Sequence, residues 1–184
     1  VNIAESEQRS YEYVLERAKE ENNEEAIKEL KEIGYPEAGM YESGFSGLMK
    51  QRQWLRHYNG TVYEGDPKKI MFEFLFTEEY SLLDAVNYMR AVQFTPNQQM
   101  FKRAIDKTNF FESIPEVEVP IYFFLGRHDY QVSANLAEEY FNFVEAPYKE
   151  LVWFEKSAHL PCFEQADKFN RLMVEKVLAE NYNQ

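Results

Sequence analysis

The sequence holds a single cysteine among its 184 residues, so no disulfide bond can form within the chain. A chain without disulfides fits a reducing compartment, and we expect a cytoplasmic protein. Long apolar runs are also missing. No stretch approaches the roughly 18 to 20 residues that a membrane-spanning helix needs, and no signal peptide precedes the first predicted helix. We therefore expect no membrane partner.

Positive charge is scarce as well. Lysine and arginine together number 20 against 32 aspartates and glutamates, which gives a formal net charge of −12. A protein that binds a phosphate backbone needs lysine and arginine gathered on one face, so we expect no nucleic-acid partner. The three histidines and the one cysteine show no metal-ligand spacing. We accordingly expect neither a metal nor another cofactor.

Apolar and aromatic residues are plentiful, at 45% and 16% of the chain, which is the composition of a folded globule. Their spacing predicts two amphipathic helices within residues 11–33, although the sequence before residue 11 has no obvious helix start. Asn22 or Asn23 is the expected cap of the second helix, and Gly34 is its expected end.

Helical patterns continue through the next part of the chain. Residues 48–58 predict a helix with Trp54 facing inward, although Trp54 could instead line a substrate pocket. Further aromatic-rich helices are predicted after the cap Asp66 and from Pro96 onward. The first 110 residues are therefore expected to be helical throughout.

The pattern changes after residue 112. The apolar run "PIYFFLG" predicts a strand covered on both faces in a parallel sheet. It is followed by the helical pattern "ANLAEEYFNFV", the strand pattern "PYKELVWFEK" and the helical pattern "ADKFNRLMVEKVLAEN". This order predicts a β-α-β-α unit with parallel strands. Because two strands are too few for a stable sheet, we expect further strands from outside this sequence.

Two polar residues follow the ends of these strands. Asp129 comes directly after the first strand, and His159 comes after the second. Because functional groups collect beyond the carboxyl ends of parallel strands, we expect the two side chains to meet there. The carboxylate would orient the imidazole, and the imidazole would transfer protons. Taken singly, an aspartate after a strand is most often a turn or helix-cap residue, and a lone histidine is most often a polar group with its hydrogen bonds satisfied.

A nucleophile for such a pair is not evident. Ser46 lies in "SGFSGL", which lacks the second glycine and the preceding strand of a nucleophile elbow, and we expect a loop or helix-cap residue. Cys162, three residues after His159, has no feature that indicates a reactive thiol. His57 and His128 lack the context of a site, and we expect both to be structural.

The segments "VPIYFFLGRHDY" and "WFEKSAH" together resemble the C-terminal portion of an α/β-hydrolase, and most closely the proline iminopeptidase-like branch. The resemblance covers about residues 115–178. It implies an α/β fold class, as a partial α/β-hydrolase fold with a helical cap over residues 1–112 and the C-terminal part of the core over residues 113–184. It also implies that Asp129 is the triad acid and that His159 is the triad base.

The resemblance further implies that the nucleophilic serine and the oxyanion loop belong to an N-terminal half that this sequence does not contain. The chain begins with Val1, and we expect a processed chain or a piece of a longer protein. The predicted function is that of a fragment of a serine hydrolase acting on small molecules or short peptides, inactive alone and partnered by the missing half.

Two alternatives stay open. Epoxide hydrolases, dehalogenases and esterases share the acid and the histidine, and they differ in the nucleophile. A catalytically inert association module would instead use exposed strand edges, which also make a dimer plausible.

Overall fold

The structure is a computed structural model that describes residues 1–66, 69–70, 72, 81–94, 103, 105 and 108–179. Over these residues it is an α/β structure in which helices accompany a two-stranded parallel sheet. The first helices are α1 (Ile3–Glu20), α2 (Glu24–Ile33) and α3 (Phe45–His57), with a 3₁₀ turn at Glu37–Gly39. The helix predicted to begin at Pro96 starts outside the described residues.

Side-chain caps fix the starts of the first two helices. The Asn2 side chain accepts a hydrogen bond from Glu5 N, so α1 does have a start signal, which the sequence analysis missed. Asn23, and not Asn22, caps α2 by accepting from Ala26 N at 3.1 Å. Gly34 ends α2 as predicted, in a conformation with φ of 76° that favours glycine.

The apolar faces of α1, α2 and α3 pack into one core. Trp54 is only 7% exposed there, and its Nε1 donates to Glu29, so Trp54 is a core residue and not a lining residue of a pocket. The buried members of this core are Tyr11, Val14, Ala18, Ala26, Leu30, Tyr41, Leu48, Trp54, Leu55 and Tyr58.

The helices of the first 110 residues are separate, as predicted, and residues 58–66, between α3 and the next helix start, form turns and bends. The physical reason is the pair Asn59–Gly60: Asn59 takes the left-handed conformation, with φ of 58°, and helix does not continue through it. Asp66 O accepts from Lys69 N and Ile70 N, as expected where a helix begins. Further along the chain lie α4 (Leu82–Phe94) and the short α5 (Phe110–Ser113).

The second part of the chain has the predicted β-α-β-α order. It consists of β1 (Ile121–Gly126), α6 (Ala134–Phe143), β2 (Lys149–Phe154), α7 (Pro161–Glu164) and α8 (Ala166–Leu172). The strands are parallel, in a register that pairs Ile121 with Lys149 and Gly126 with Phe154. Their carboxyl ends therefore lie side by side, and the chain segments that follow them leave the sheet at the same edge.

Two details differ from the prediction. Residues 121–125 are only partly buried, because within the described part of the chain β1 pairs with β2 alone and helices cover the sheet incompletely. The final helix also changes form, since α8 continues as a π-helical stretch over Met173–Leu178. Among the described residues, no helix has both the length and the apolar composition to cross a membrane.

Candidate active site

The two loops after β1 and β2 cross in close backbone contact at Gly126. A Cβ atom placed on Gly126 would lie 1.8 Å from Ala158 O, so only glycine leaves room for the second loop. A backbone hydrogen bond from His128 N to Ser157 O, at 3.0 Å, joins the two loops just beyond this point. The crossing places Asp129, which follows His128, beside His159, which follows Ala158.

Asp129 and His159 meet at this crossing. The His159 Nδ1 atom lies 2.9 Å from Asp129 Oδ2, and the two side chains are 31% and 14% exposed. An ionised carboxylate can only accept hydrogen bonds, so Nδ1 is the protonated nitrogen of the neutral ring and Nε2 is its basic nitrogen. The pair thus presents a basic nitrogen from a ring whose orientation a carboxylate fixes.

The second carboxylate oxygen of Asp129 stabilises its own loop. Oδ1 accepts from Gln131 N at 2.9 Å and from Val132 N at 3.0 Å. The Asp129 backbone also accepts from Ala134 N, the first residue of α6, at 3.0 Å. Asp129 is therefore a turn residue through Oδ1 and the partner of His159 through Oδ2, and the two contacts together fix the plane of the carboxylate.

Both loops are also held by the segment that joins α3 to the rest of the chain. Tyr130 N donates to Gly60 O at 3.0 Å, and His159 N donates to Thr61 O at 3.1 Å. Residues 60–63, which we call the bracing segment, were not identified by the sequence analysis. Backbone carbonyls provide both contacts, and every residue carries one, so no side-chain pattern could have indicated them.

Glu164 is a second residue that the sequence analysis did not identify. It lies at the end of α7, and its carboxylate accepts from Ser157 Oγ and Ala158 N, both at 2.8 Å. The other oxygen accepts from Tyr63 N at 2.6 Å. A carboxylate five residues after His159 is the only sequence signal for this role, because the donors lie on two separate segments of the chain.

Aromatic rings line the approach to the Asp129 loop. Tyr13 stacks on Tyr130 with ring centres 3.5 Å apart, and Tyr63 stacks on His128 at 4.1 Å. The Tyr13 hydroxyl donates to Tyr58 O at 2.7 Å, and burial raises the pKa of Tyr13 to about 12. A groove of about 470 Å³ runs beside these rings, with Glu16, Glu20 and Glu64 on its walls.

The remaining candidates have other surroundings. Ser46 is in the first turn of α3 and not in the expected loop or cap position, and its hydroxyl donates to Ser43 O at 2.8 Å. His57 packs edge-on against Trp54, with ring centres 5.4 Å apart. Cys162 is exposed on α7.

Within the described part of the chain, no hydroxyl or thiol group hydrogen-bonds to the ring of His159. The same residues contain no group of three or more His, Cys, Asp or Glu side chains that could hold a metal ion. What the described residues assemble is therefore an imidazole oriented by a carboxylate, without an adjacent nucleophile.

Comparison with known proteins gives a partial similarity. No family model and no solved structure matches the chain. A curated protein of Bacillus subtilis (strain 168), named "Probable aminopeptidase YbaC", is 30% identical to it over 100 residues. These residues are 54% of the chain and 31% of the relative, so the chain covers less than a third of that protein. The similarity relates about half of the chain to a protein named as a peptidase.

Proposed function

We propose that Asp129 and His159 are the acid and the base of a serine hydrolase that cleaves an acyl bond in an aminoacyl or short-peptide substrate. The observation that carries this proposal is the 2.9 Å contact between His159 Nδ1 and Asp129 Oδ2 beyond the ends of two parallel strands. The peptidase name of the Bacillus relative supports the substrate class.

In this proposal each group has a step. His159 Nε2 takes the proton of a serine hydroxyl as that oxygen attacks the substrate carbonyl, and the ring becomes an imidazolium. Asp129 stabilises this charge and keeps the ring oriented. Nε2 then gives the proton to the leaving amine as the acyl bond breaks. In the second half of the reaction, Nε2 takes a proton from water as the water oxygen attacks the acyl-enzyme. Nε2 then gives this proton to the serine oxygen as the acyl–serine bond breaks, which frees the acid product and restores the serine hydroxyl.

The nucleophile in this proposal comes from outside the described residues. A further part of the protein, the N-terminal half of the α/β-hydrolase pattern, would pair with the sheet and carry the serine. The described sheet has two strands, and a sheet this small is not stable by itself, which supports such a partner. Residues 1–112 would then form the cap over the substrate, and residues 113–184 the end of the hydrolase core.

The small size of the described sheet also favours a second candidate, in which the chain is an inert module that associates through this sheet. A dimer of the isolated chain would use this surface. Only the first candidate requires the imidazole of His159, so a substitution of this residue distinguishes the two.

A reconstitution assay tests the proposal. The chain is mixed with a separately produced N-terminal half of a proline iminopeptidase-like hydrolase, and hydrolysis of aminoacyl arylamides and aryl esters is followed. We expect activity in the mixture and in neither half alone. His159→Ala should lower kcat by about 10³-fold or more, since the base of such a triad contributes at least this much.

His57→Ala is the matched control, because His57 lies in the tail of α3 among aromatic rings and not at the strand ends. It should leave kcat unchanged. A mixture that is inactive although the halves associate, or one whose activity survives His159→Ala, would contradict the proposal. Association without activity would support the inert module instead.

A further inference from the structure

The backbone before His159 is fixed by a carboxylate that takes no part in the proposed proton transfers. Glu164 Oε2 accepts from Ser157 Oγ and from Ala158 N, both at 2.8 Å. Glu164 Oε1 accepts from Tyr63 N, at 2.6 Å, in the bracing segment. One side chain thus joins the loop that carries the base to the bracing segment, and the hydrogen bond to Tyr63 spans 101 positions of the chain.

The bracing segment completes a closed circuit of hydrogen bonds around the base. Thr61 O accepts from His159 N at 3.1 Å, two residues before the Tyr63 N–H that Glu164 holds. The neighbouring carbonyl, Gly60 O, accepts from Tyr130 N, directly after the acid. Movement of the bracing segment would therefore shift the acid loop and the base loop relative to each other.

The donors around Glu164 need a side chain that accepts hydrogen bonds at both of its terminal atoms. Ser157 and Ala158 are fully buried, so their donor groups have no access to water as an alternative partner. All three partners are donors, and both oxygens are engaged. A glutamine would turn its NH₂ group toward one set of these donors, where it could accept nothing.

We propose that Glu164 is a positioning residue for His159, which sets the distance between the acid and the base by joining the base loop to the bracing segment. This inference rests on the proposed function, because it assigns Glu164 a role only in relation to the Asp129–His159 pair. It distinguishes Glu164 from a residue that merely caps the end of a short helix.

Nuclear magnetic resonance on the complete chain tests this role. Two quantities are measured in the unaltered chain and in Glu164→Gln: the resonance of the His159 Nδ1 proton, which is far downfield when it bonds to a carboxylate, and the hydrogen-exchange rates of the amides of Tyr63 and Ala158. In Glu164→Gln we expect the Nδ1 resonance to broaden or disappear. Exchange at the two amides should become about tenfold faster, because each loses a bond to a charged acceptor.

Asp167→Asn is the matched control, since it removes the same charge from an exposed position three residues later. It should change neither quantity. Should Glu164→Gln fail to fold, Ser157→Ala removes one donor and keeps the carboxylate. In that variant the Nδ1 resonance and the exchange rates should change in the same direction but by less. Unchanged spectra in it would overturn the role of Glu164.

The outcomes separate the two proposals. An unaltered chain without a bonded Nδ1 proton on His159 contradicts the proposed function. An unaltered chain that shows this proton, combined with a Glu164→Gln variant that keeps it at the same position, overturns the role of Glu164 and leaves the proposed function standing.

Discussion

Asp129 shows how a single side chain can serve a turn and a site together. Its Oδ1 atom holds two backbone N–H groups of its own loop, and its Oδ2 atom faces His159. From the sequence these were competing interpretations. The structure contains the contacts of both, because a carboxylate has two oxygens and about four directions in which it can accept.

A first prediction concerns Gly126, whose missing side chain lets the two loops cross. In Gly126→Ala the new methyl group would lie 1.8 Å from Ala158 O, so the loop after β2 must move. We expect the free energy of unfolding to fall by about 2 kcal/mol, as measured by chemical denaturation.

Gly65→Ala is the control, because its nearest contact is a side-chain atom, Val62 Cγ1, at 3.0 Å. It should change the free energy of unfolding by less than about 0.5 kcal/mol. A Gly126→Ala variant as stable as the unaltered chain would show that the loops do not cross as described.

At the scale of elements, α1 and α3 are joined by a polar contact inside the helical core. Glu7 on α1 pairs with the guanidinium of Arg52 on α3, and their side chains are 8% and 16% exposed. The Tyr41 hydroxyl donates to the same carboxylate at 2.7 Å. Burial, followed by the charge of Glu7, raises the pKa of Tyr41 well above its usual range.

A second prediction follows from this contact. Glu7→Gln leaves the Arg52 charge in the core without its counter-ion, so we expect a loss of about 3 kcal/mol in the free energy of unfolding. Glu32→Gln makes the same chemical change in the exposed pair of Glu32 with Lys28. There the loss should stay below about 0.5 kcal/mol. Equal effects of the two substitutions would contradict the buried pairing.

The elements that could be predicted from the sequence are those whose side chains carry a pattern. Apolar residues at helical spacing predicted α1 to α3 and α6. The apolar run and the strand pattern that follows it predicted β1 and β2 as parallel strands. The bracing segment could not be predicted, because its contacts to Tyr130 and His159 use backbone carbonyls. Nor could the π-helical end of α8, since the apolar spacing there fits an ordinary helix equally well.

The same reasoning explains what was found and missed at the site. Asp129 and His159 could be predicted to meet, because each follows a strand end and parallel strands end at one edge. Glu164 could not be placed with them. Its partners Tyr63 and Ser157 are far apart in sequence, and only the folded chain brings them to one carboxylate.

At the scale of the whole molecule, a stacked tyrosine pair joins the helical core to the ends of the strands. Tyr13 on α1 stacks on Tyr130, the residue after Asp129, and Tyr41 lies deep in the helical core. Burial raises the pKa of both hydroxyl groups. A raised pKa means that the folded chain keeps a proton which the unfolded chain releases above pH of about 10.

A third prediction is therefore a loss of stability at alkaline pH. The contribution of Tyr13 is fully present below the unfolded pKa of about 10 and is lost as the pH rises toward its folded pKa of about 12. One titrating group changes the free energy of unfolding by at most about 1.4 kcal/mol per pH unit, and Tyr13 contributes less than this because it is only half-buried and solvent screens it. Denaturation at a series of pH values measures the slope. Tyr13→Phe should reduce the slope, and an unchanged slope would contradict the burial of this hydroxyl.

The fold as a whole brings three distant parts of the chain to one point: the bracing segment, the loop after β1 and the loop after β2. Their purpose in the proposed function is to hold one imidazole in one orientation. The tautomer of the neutral His159 ring reports that orientation, because the hydrogen bond at one nitrogen determines which of the two carries the proton.

The most direct test is a measurement of the ¹⁵N resonances of the His159 ring, at a pH where the ring is neutral, in the unaltered chain and in Asp129→Ala. We predict a protonated Nδ1 and a bare, basic Nε2 in the unaltered chain, and loss of this preference in Asp129→Ala. A proton on Nε2 in the unaltered chain, or the same tautomer with and without the Asp129 carboxylate, would contradict the assignment of these residues as acid and base.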